Sequence, residues 1–418
     1  MDENIKKFKK TKYTCYITYL AMASIFSLPP LLFITFNETY GISYTLLGTL
    51  VAINFCTQLC VDLAFSFFSQ KFNIHLCVKI MPLLTTLGML TYALIPTFLP
   101  NMAYLGLVIG TLMFSVAAGL SEALLSPLVA ALPSDNPERD MSALHSLYGY
   151  GVLMVIVVST VFFKIFGTQN WMYLTVFWSI LPLICFVLYN IVPLPEMNVS
   201  HSGEKKAKNS NKFGLALCVA CIFLGSCAEN TMTNWISGYM EAALNLPKTV
   251  GDILGMALFA ALLALTRTVY AKYGKNIIKV LFLGMVGAAI CYIVVGVCSN
   301  VVISLIACVL VGICTSMLWP GTLIMMEEKF PNIGVAAYAL MAAGGDFGAS
   351  IAPQMMGIVV DTVSASNWAA TLSETLSMTT EQIGMKTGMI VSAIFPILGI
   401  FLLIYIKKYF AKNTESKI

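Results

Sequence analysis

The sequence predicts an all-α polytopic membrane protein with twelve transmembrane helices. Of its 418 residues, 58% are hydrophobic and only 11% are charged, whereas soluble domains carry about 25% charged residues. The mean hydropathy is +0.84. Apolar stretches of about 20 residues, long enough to cross a bilayer, recur along the whole chain, and the basic residues concentrate in alternate connections between them.

The apolar stretches define the twelve predicted spans. They cover residues 13–36, 44–70, 77–97, 102–132, 141–166, 171–192, 213–240, 248–271, 278–298, 301–326, 332–360 and 387–408. The charged N-terminus MDENIKKFKKTKY precedes an apolar run of full helix length. We therefore expect that run to be the first span and not a cleaved signal peptide.

The basic residues predict the orientation. When both termini are placed in the cytoplasm, all but three of the 24 Lys and Arg residues fall in cytoplasmic segments, the exceptions being Lys164, Lys248 and Lys386. An excess of Lys and Arg marks the cytoplasmic side, so we expect a multi-pass protein of the cytoplasmic (plasma) membrane with both termini inside. The net charge of +4 follows from this topology, and no nucleic-acid partner is expected.

A polar segment divides the chain into two predicted halves. The stretch PLPEMNVSHSGEKKAKNSNK, residues 193–212, separates an N-terminal half (1–192) from a C-terminal half (213–418) of six spans each. The short basic loops FSQKFNIHLCVK and VYAKYGKNIIK follow the second span of each half. Two six-helix pseudo-repeats in one chain are typical of transporters; an unrelated twelve-helix bundle leaves the polar segment 193–212 unexplained.

A second polar stretch, about 361–386, is expected to be an exposed loop.

Four acidic residues fall well inside predicted spans: Asp62, Glu122, Glu229 and Asp346. A charge at the bilayer centre costs roughly 2.5–3.5 kcal/mol on insertion scales, so such groups face a cavity or a partner. No Lys or Arg is predicted at comparable depth, Arg267 being placed at a span end. We therefore expect Glu122, Glu229 and Asp346 to bind and release protons, and Asp62 to make a contact at a helix end.

Glu122 is the strongest of these candidates. It lies in GLSEALLSPLVAALPSD, among small residues that permit close helix approach and five residues before Pro127. The functional interpretation is a protonatable or substrate-binding group in a central cavity. The alternative is a permanently protonated acid hydrogen-bonded to a neighbouring helix.

Polar and aromatic residues within the spans are candidate ligand contacts. Asn230 and Asn234 are four residues apart and share a helix face, and Trp235 follows them; amides bind hydroxyl groups, and a flat ring covers the apolar face of a sugar. His145 and Tyr148 share a face in the fifth span. The further candidates are Asn54, Gln58 and Trp319. Ordinary packing between helices is the alternative for all of them.

Several kinds of function lack their motifs. No Walker motif, HExxH or nucleophile elbow occurs, so neither an enzyme nor an ATP-driven pump is expected. The paired cysteines in CTQLC and CVAC lie within spans without a nearby His, so they are expected to pack and not to bind metal. We expect no cofactor, a monomer in the bilayer, and a small-molecule substrate.

The span count and central polar segment resemble the major facilitator superfamily over the whole chain. Within it, EALLSPLVAALPSD is similar to the fourth-helix motif of the fucose permease group of sugar–proton symporters, and SMLWPGTL is similar to its tenth-helix motif. The resemblance implies that Glu122 takes part in proton coupling and sugar binding and that Pro127 is the family proline. His145 and Tyr148 stand where the family has a Gln and an Asn.

The chain also departs from that family. The first span, with ASIFSLPPLLFITF, has no acidic residue before Glu38. The loop SFFSQKFNIH does not keep the Gly-x-x-x-Asp-Arg type of sequence that usually follows the second helix of the superfamily. The resemblance implies proton-coupled uptake of a small sugar or related polar solute by alternating access. Two alternatives remain, a proton-coupled antiporter that exports amphiphilic compounds and a transport-inactive ligand sensor of the same fold; a channel is least expected.

Overall fold

The protein is described by a computed structural model that covers residues 2–68, 71–135, 137–195, 212–330 and 335–415. Every regular element in these ranges is helical, so the all-α prediction is confirmed. Most of the segment 193–212 lies outside the described residues.

The helices follow the chain as a series of long elements joined by short connections. They are α1 (Asp2–Leu31), α2 (Phe33–Tyr40), α3 (Tyr44–Phe68), α4 (Ile74–Phe98), α5 (Ala103–Ala130), α6 (Pro137–Phe166), α7 (Trp171–Ile191), α8 (Lys212–Gly238), α9 (Lys248–Val250), α10 (Leu258–Tyr273), α11 (Ile277–Val297), α12 (Val301–Thr315), α13 (Leu318–Lys329), α14 (Val335–Ser364), α15 (Asn367–Leu376), α16 (Thr380–Ser392) and α17 (Ile394–Glu415). Two π-helical segments, Tyr239–Ala243 and Gly251–Ala257, flank α9.

Eleven segments within the described residues are long and apolar enough to cross a membrane. The predicted span 332–360 is not among the eleven; it corresponds to α14, whose 30 residues extend about 45 Å at 1.5 Å per residue, more than the roughly 30 Å of a hydrocarbon core.

The predicted loop 361–386 is instead largely helical, which corrects that expectation. The helix α14 continues to Ser364, α15 follows, and α16 begins at Thr380. Thr379 and Gln382 form a reciprocal capping box at the start of α16, which satisfies two backbone N–H groups. The Ser/Thr content of this stretch therefore reflects helix caps as well as exposure.

The chain forms two compact units. The first comprises Met1–Ile42 and Ile53–Ser202, and the second comprises Ser43–Ala52 and Gly203–Ile418. In the second unit the Asp361 carboxylate accepts hydrogen bonds from the backbone N–H groups of Tyr44 (3.1 Å) and Thr45 (2.6 Å). The first turns of α3 therefore belong with α14, because its carboxylate satisfies N–H groups that a helix start leaves unpaired.

In the first unit, α4 and α5 approach each other through glycines. A Cβ atom on Gly110 would lie 2.7 Å from the carbonyl oxygen of Gly88 and 2.7 Å from the backbone nitrogen of Tyr92. A Cβ atom on Gly88 would lie 2.7 Å from the nitrogen of Phe114. Because the neighbouring atoms are backbone, neither position can accommodate a side chain without moving a helix.

We predict that Gly110→Val lowers the free energy of unfolding by about 2 kcal/mol, the typical cost of overpacking. Gly149→Ala on α6 is the matched control, since a Cβ atom there has nothing within 4 Å and alanine favours a helix by up to about 1 kcal/mol. The thermal midpoint of the purified protein is the measurement. A Gly110→Val midpoint equal to that of the wild type would contradict the close α4–α5 contact.

Asp140, at the start of α6, joins three elements of the first unit. Its carboxylate accepts hydrogen bonds from the Lys12 ammonium (3.0 Å), the Ser134 hydroxyl (2.7 Å) and the Tyr16 hydroxyl (3.2 Å). Partial removal from water raises the pKa of Asp140, but the hydrogen bonds from Ser134, Lys12 and Tyr16 and the charge of Lys12 outweigh this effect, so its pKa is lowered.

A lowered folded-state pKa predicts a pH-dependent stability. The stabilisation is fully present above the unfolded pKa of about 3.9 and is lost as the pH falls through the folded value. We therefore expect Asp140→Asn to cost about 1 kcal/mol at neutral pH and almost nothing at about pH 2. Thermal melts of both proteins at the two pH values test this, and an equal cost at both would exclude an ionic contribution.

Candidate functional site

Glu122 lies away from the face of α5 that meets lipid. Leu105, Ile109 and Leu112 are exposed and repeat at helical spacing, which marks the lipid-facing row. At 100° per residue, Glu122 points about 100° away from that row, yet its side chain is exposed. Three residues earlier, Gly119 lies so close to α3 that a Cβ atom there would be 2.9 Å from Val61. The carboxyl is therefore accessible on the side of α5 that faces other helices.

Asp62 on α3 directly follows Val61, which packs against Gly119 of α5, three residues before Glu122. Tyr19 on α1 is a second neighbour of Glu122. No residue in the described ranges forms a hydrogen bond or an ion pair with either carboxyl. Asp62 was expected to make a contact at a helix end. The structure adds a second feature, because it brings Asp62 and Glu122 together in the first unit.

Asn54 and Gln58 form a polar contact between α3 and α5. The Gln58 amide donates to Asn54 Oδ1 at 3.1 Å, and the Ser115 hydroxyl donates to the same oxygen at 2.6 Å. Both predicted residues are buried. Ser115 is seven residues, or two turns, before Glu122 and on the same face. The contact therefore holds α3 against α5 near the two acids. Ser115 was not among the predicted site residues.

Tyr148 belongs to an aromatic cluster in the first unit. Its ring lies 6.1 Å from that of Tyr19 and 5.9 Å from that of Phe26, both in edge-on geometry, and Phe26 lies 6.2 Å from Phe55. For His145 only the backbone is within the described structure, so its predicted contact lies outside the described side chains. Tyr19 and Phe26 were missed because an apolar first helix gives no sign of which rings face inward.

The structure pairs Glu229 with Arg267, contrary to the expectation that no basic residue lies at its depth. Arg267 Nη2 on α10 lies 3.0 and 3.3 Å from the two carboxylate oxygens of Glu229 on α8. The Arg267 Nε–H donates to the carbonyl oxygen of Ser316 at 2.8 Å. The long side chain carries the guanidinium from near the end of α10 to Glu229, a reach that position in the sequence does not reveal.

A proline explains why Ser316 accepts this hydrogen bond. In an unbroken helix, the carbonyl of Ser316 would accept from the N–H of residue 320, but Pro320 has none. The chain breaks here between α12 and α13, and the orphaned carbonyl must find another donor. Arg267 supplies it, so one guanidinium joins α8, α10 and the helix break.

The three predicted ligand residues of α8 differ in their accessibility. The Asn230 amide donates to the Ser226 carbonyl and hydroxyl oxygens (3.1 Å each), and the Asn234 amide donates to the Asn230 carbonyl (2.9 Å). Asn230 is half-buried, whereas Asn234 is buried. Trp235 is 0% exposed, and its indole N–H donates to Pro353 O at 3.0 Å. In this conformation Trp235 holds α8 against α14 and is out of reach of a ligand.

Trp319 and Asp346 lie close together at the contact of α13 with α14. A Cβ atom on Gly345 would lie 2.2 Å from the Trp319 ring, so the ring lies directly on the α14 backbone. Gly344 and Gly348 likewise lie against Val219 and Phe223 of α8. The predicted glycines thus serve close helix packing, and Asp346 between them is half-buried.

Two of the basic residues that did not fit the predicted orientation have partners in the second unit. Lys248 lies 3.5 Å from Glu241 and 3.7 Å from Asp252. Asp252 is fully buried in a π-helical segment and accepts a 2.5 Å hydrogen bond from Ser237. Lys386 donates to the Cys298 carbonyl at 2.6 Å. Both lysines therefore have structural contacts that charge counting does not foresee.

Metal binding has no support in the part of the chain that the structure describes. No group of three or more His, Cys, Asp or Glu residues there lies close enough to hold an ion.

An all-α chain with eleven apolar spans in its described residues defines a polytopic membrane protein. The sequence profile of the Major Facilitator Superfamily matches residues 14–353, and the chain belongs to that family. A search of curated proteins found no significant match.

Solved transporter structures share the fold. A bacterial homologue of the human lysosomal transporter Spinster superposes with a TM-score of 0.74 at 11% identity, over 97% of this chain and 98% of that one. A D-xylose–proton symporter gives 0.72 at 15% identity (93% and 97%). A nucleoside transporter gives 0.68 at 12% identity (95% and 98%). At these identities the likeness concerns the fold alone.

Proposed function

We propose that the protein is a proton-coupled secondary transporter that takes up a small sugar or related polar solute. Its two six-helix halves, 1–192 and 213–418, would alternate access across the cytoplasmic membrane, with both termini inside. The observation that carries the proposal is the placement of two intramembrane acids, Asp62 and Glu122, beside the close contact of α3 and α5 at Val61 and Gly119.

Such a pair suits proton binding for a simple reason. Two carboxylates within electrostatic range repel each other, so a proton on one of them lowers the energy of both. Glu122 is accessible while Asp62 is half-buried, so Glu122 is the group that exchanges its proton with water.

A polar solute is supported by side chains in each unit. In the second unit, Asn230 is half-buried with its amide Nδ2 already used, which leaves its Oδ1 to accept a hydroxyl hydrogen. In the first unit, the half-buried Tyr148 presents an aromatic ring. One structural neighbour is described as a D-xylose–proton symporter and another as a nucleoside transporter, and both of those ligands are hydroxyl-rich.

The aromatic cluster favours one alternative. Tyr19, Phe26, Phe55 and Tyr148 together form a largely apolar surface close to Glu122, which would suit an amphiphilic compound exported in exchange for protons. A transport-inactive sensor would bind its ligand without any flux.

Proton movement in vesicles distinguishes these functions. The full chain is reconstituted in liposomes with a trapped pH dye, and neutral monosaccharides, sugar acids and cationic amphiphiles are added one at a time outside, with empty liposomes as control. Acidification of the interior with a sugar or sugar acid is the expected result. Alkalinisation of the interior with an amphiphile added outside would favour the antiporter, because protons leave as the amphiphile enters. Ligand binding without proton movement would favour the sensor; either result overturns the symporter proposal.

A further inference from the structure

The Arg267 guanidinium has one edge engaged and one edge open. It has five N–H donors; Nε–H donates to Ser316, and Nη2 donates to Glu229. The two N–H groups of Nη1 donate to none of the described residues. The Arg267 side chain is 40% exposed and that of Glu229 is 17% exposed, so the open edge is accessible.

When Glu229 releases Nη2, one N–H of Nη1 and one N–H of Nη2 lie parallel and form an edge shaped for an oxyanion. It binds a carboxylate or phosphate through two hydrogen bonds, with strength and geometry that a neutral ligand does not match. The side-chain oxygen Oδ1 of Asn230, the residue after Glu229, can accept a hydroxyl of the same ligand. A polyol that carries an acidic group fits both features better than a neutral sugar does.

Charge decides when such a ligand can bind. With Glu229 ionised, the ion pair is neutral, and an incoming anion is repelled by the carboxylate while it is attracted to the guanidinium. When Glu229 takes up a proton, its repulsion disappears and the full charge of Arg267 is available. A proton and an anion therefore enter the site together, and the site remains neutral.

Other titratable groups lie on the elements that pack against α8 and on α10. They are Asp346 on α14, Cys314 on α12, Glu327 on α13, Tyr405 and Tyr409 on α17, Tyr239, Glu241 and Asp252 in the π-helical segments, and Tyr270 and Lys272 on α10. Within the described residues, Arg267 is the charged group that acts on the Glu229 carboxyl. The competition is therefore confined to Glu229, Arg267 and the ligand.

We propose that Arg267 binds the anionic group of the transported solute and that Glu229 competes with that group until it is protonated. This inference rests on the proposed function and narrows the substrate class to a hydroxylated solute with a carboxylate or phosphate. It also gives Glu229 control over the affinity for the solute, while Glu122 carries the coupled proton.

Equilibrium binding to the purified full-length protein tests this inference. The probes are D-glucuronate and D-glucose 6-phosphate beside neutral D-glucose, measured between about pH 6 and 8, a range in which the carboxylate probe stays ionised. We expect wild-type affinity for one anionic probe to rise as the pH falls. Glu229→Gln should bind that probe at least about tenfold more tightly and without pH dependence, whereas Arg267→Lys should lose about tenfold because lysine lacks the planar fork.

Controls separate ligand competition from damage to the fold. Glu374→Gln, an exposed site on α15, should bind as the wild type does, and the thermal midpoint of each variant reports folding. The preference between the carboxylate and phosphate probes identifies the group. Absence of anionic binding to both wild type and Glu229→Gln, or weaker binding to Glu229→Gln while Glu374→Gln is normal, would overturn the inference.

The two proposals fail in different ways. Proton entry with D-glucose but no binding of either anionic probe would overturn the inference and leave the transporter proposal intact. Tight, pH-dependent anion binding without any proton movement in liposomes would overturn the proposed function, while Arg267 would still be the anion site.

Discussion

Glu122→Gln should abolish uphill uptake while exchange of solute across the membrane continues. One proton per solute molecule and a pH difference of about two units support about a 100-fold gradient, because each pH unit contributes about 1.4 kcal/mol, or a factor of ten. Glutamine keeps the size and hydrogen bonding of the side chain but cannot take up a proton. The accumulation ratio should therefore fall from about 100 to about 1.

The measurement is accumulation of labelled solute in liposomes under an imposed pH gradient, with counterflow measured in the same preparation. Glu374→Gln removes an exposed acid on α15 and should accumulate solute as the wild type does. Asp62→Asn should retain part of the accumulation, because Glu122 would keep its proton site but lose the neighbouring charge. Full accumulation by Glu122→Gln would show that the coupling proton binds elsewhere.

Asp252→Ala should produce the largest loss of stability, about 3 kcal/mol. Its side chain is 1% exposed, and that of its partner Lys248 is 10% exposed. Removing one member of a buried pair leaves an uncompensated charge and typically costs about 3–5 kcal/mol. The Ser237 hydroxyl, which donates to Asp252 at 2.5 Å, would also lose its acceptor, and Glu241 beside Lys248 limits the total.

Thermal and denaturant unfolding of the purified protein measure this cost. Glu241→Gln is the matched control, because the Glu241 side chain is 26% exposed, and it should cost less than about 1 kcal/mol. The double variant with Lys248→Met and Asp252→Leu should recover most of the loss, since a buried ion pair can be replaced by apolar residues. A loss below about 0.5 kcal/mol in Asp252→Ala would show that the Lys248–Asp252 contact does not contribute to the fold.

The sequence predicted the spans well because their length and apolar content are set by the bilayer itself. It was less accurate where helices break. Pro320 stands beside Trp319 in the sequence, but the division into α12 and α13 and the carbonyl that the proline frees depend on geometry. The stretch 361–386 was expected to be a loop because its Ser and Thr residues also cap helices, and composition does not separate the two uses.

The site was predicted in part. Glu122 and Asp62 were both singled out as intramembrane acids, but their proximity depends on how α3 packs on α5. Arg267 was placed at a span end, since its Cα is near the end of α10, and the length of its side chain brings the charge to Glu229. Trp235 was chosen for its ring chemistry, but its size makes it equally suited to the contact between α8 and α14 that it occupies.

Infrared difference spectroscopy of the reconstituted protein tests the central claim most directly, because it observes the protonated carboxyl itself. The C=O band of a protonated acid would be recorded as a transported solute is added at near-neutral pH, with Glu122→Gln to assign the band. We expect the wild type to show a carboxyl band that changes when the solute binds and that is missing in Glu122→Gln. A solute-induced band that persists unchanged in Glu122→Gln would contradict the assignment of the coupling proton to Glu122.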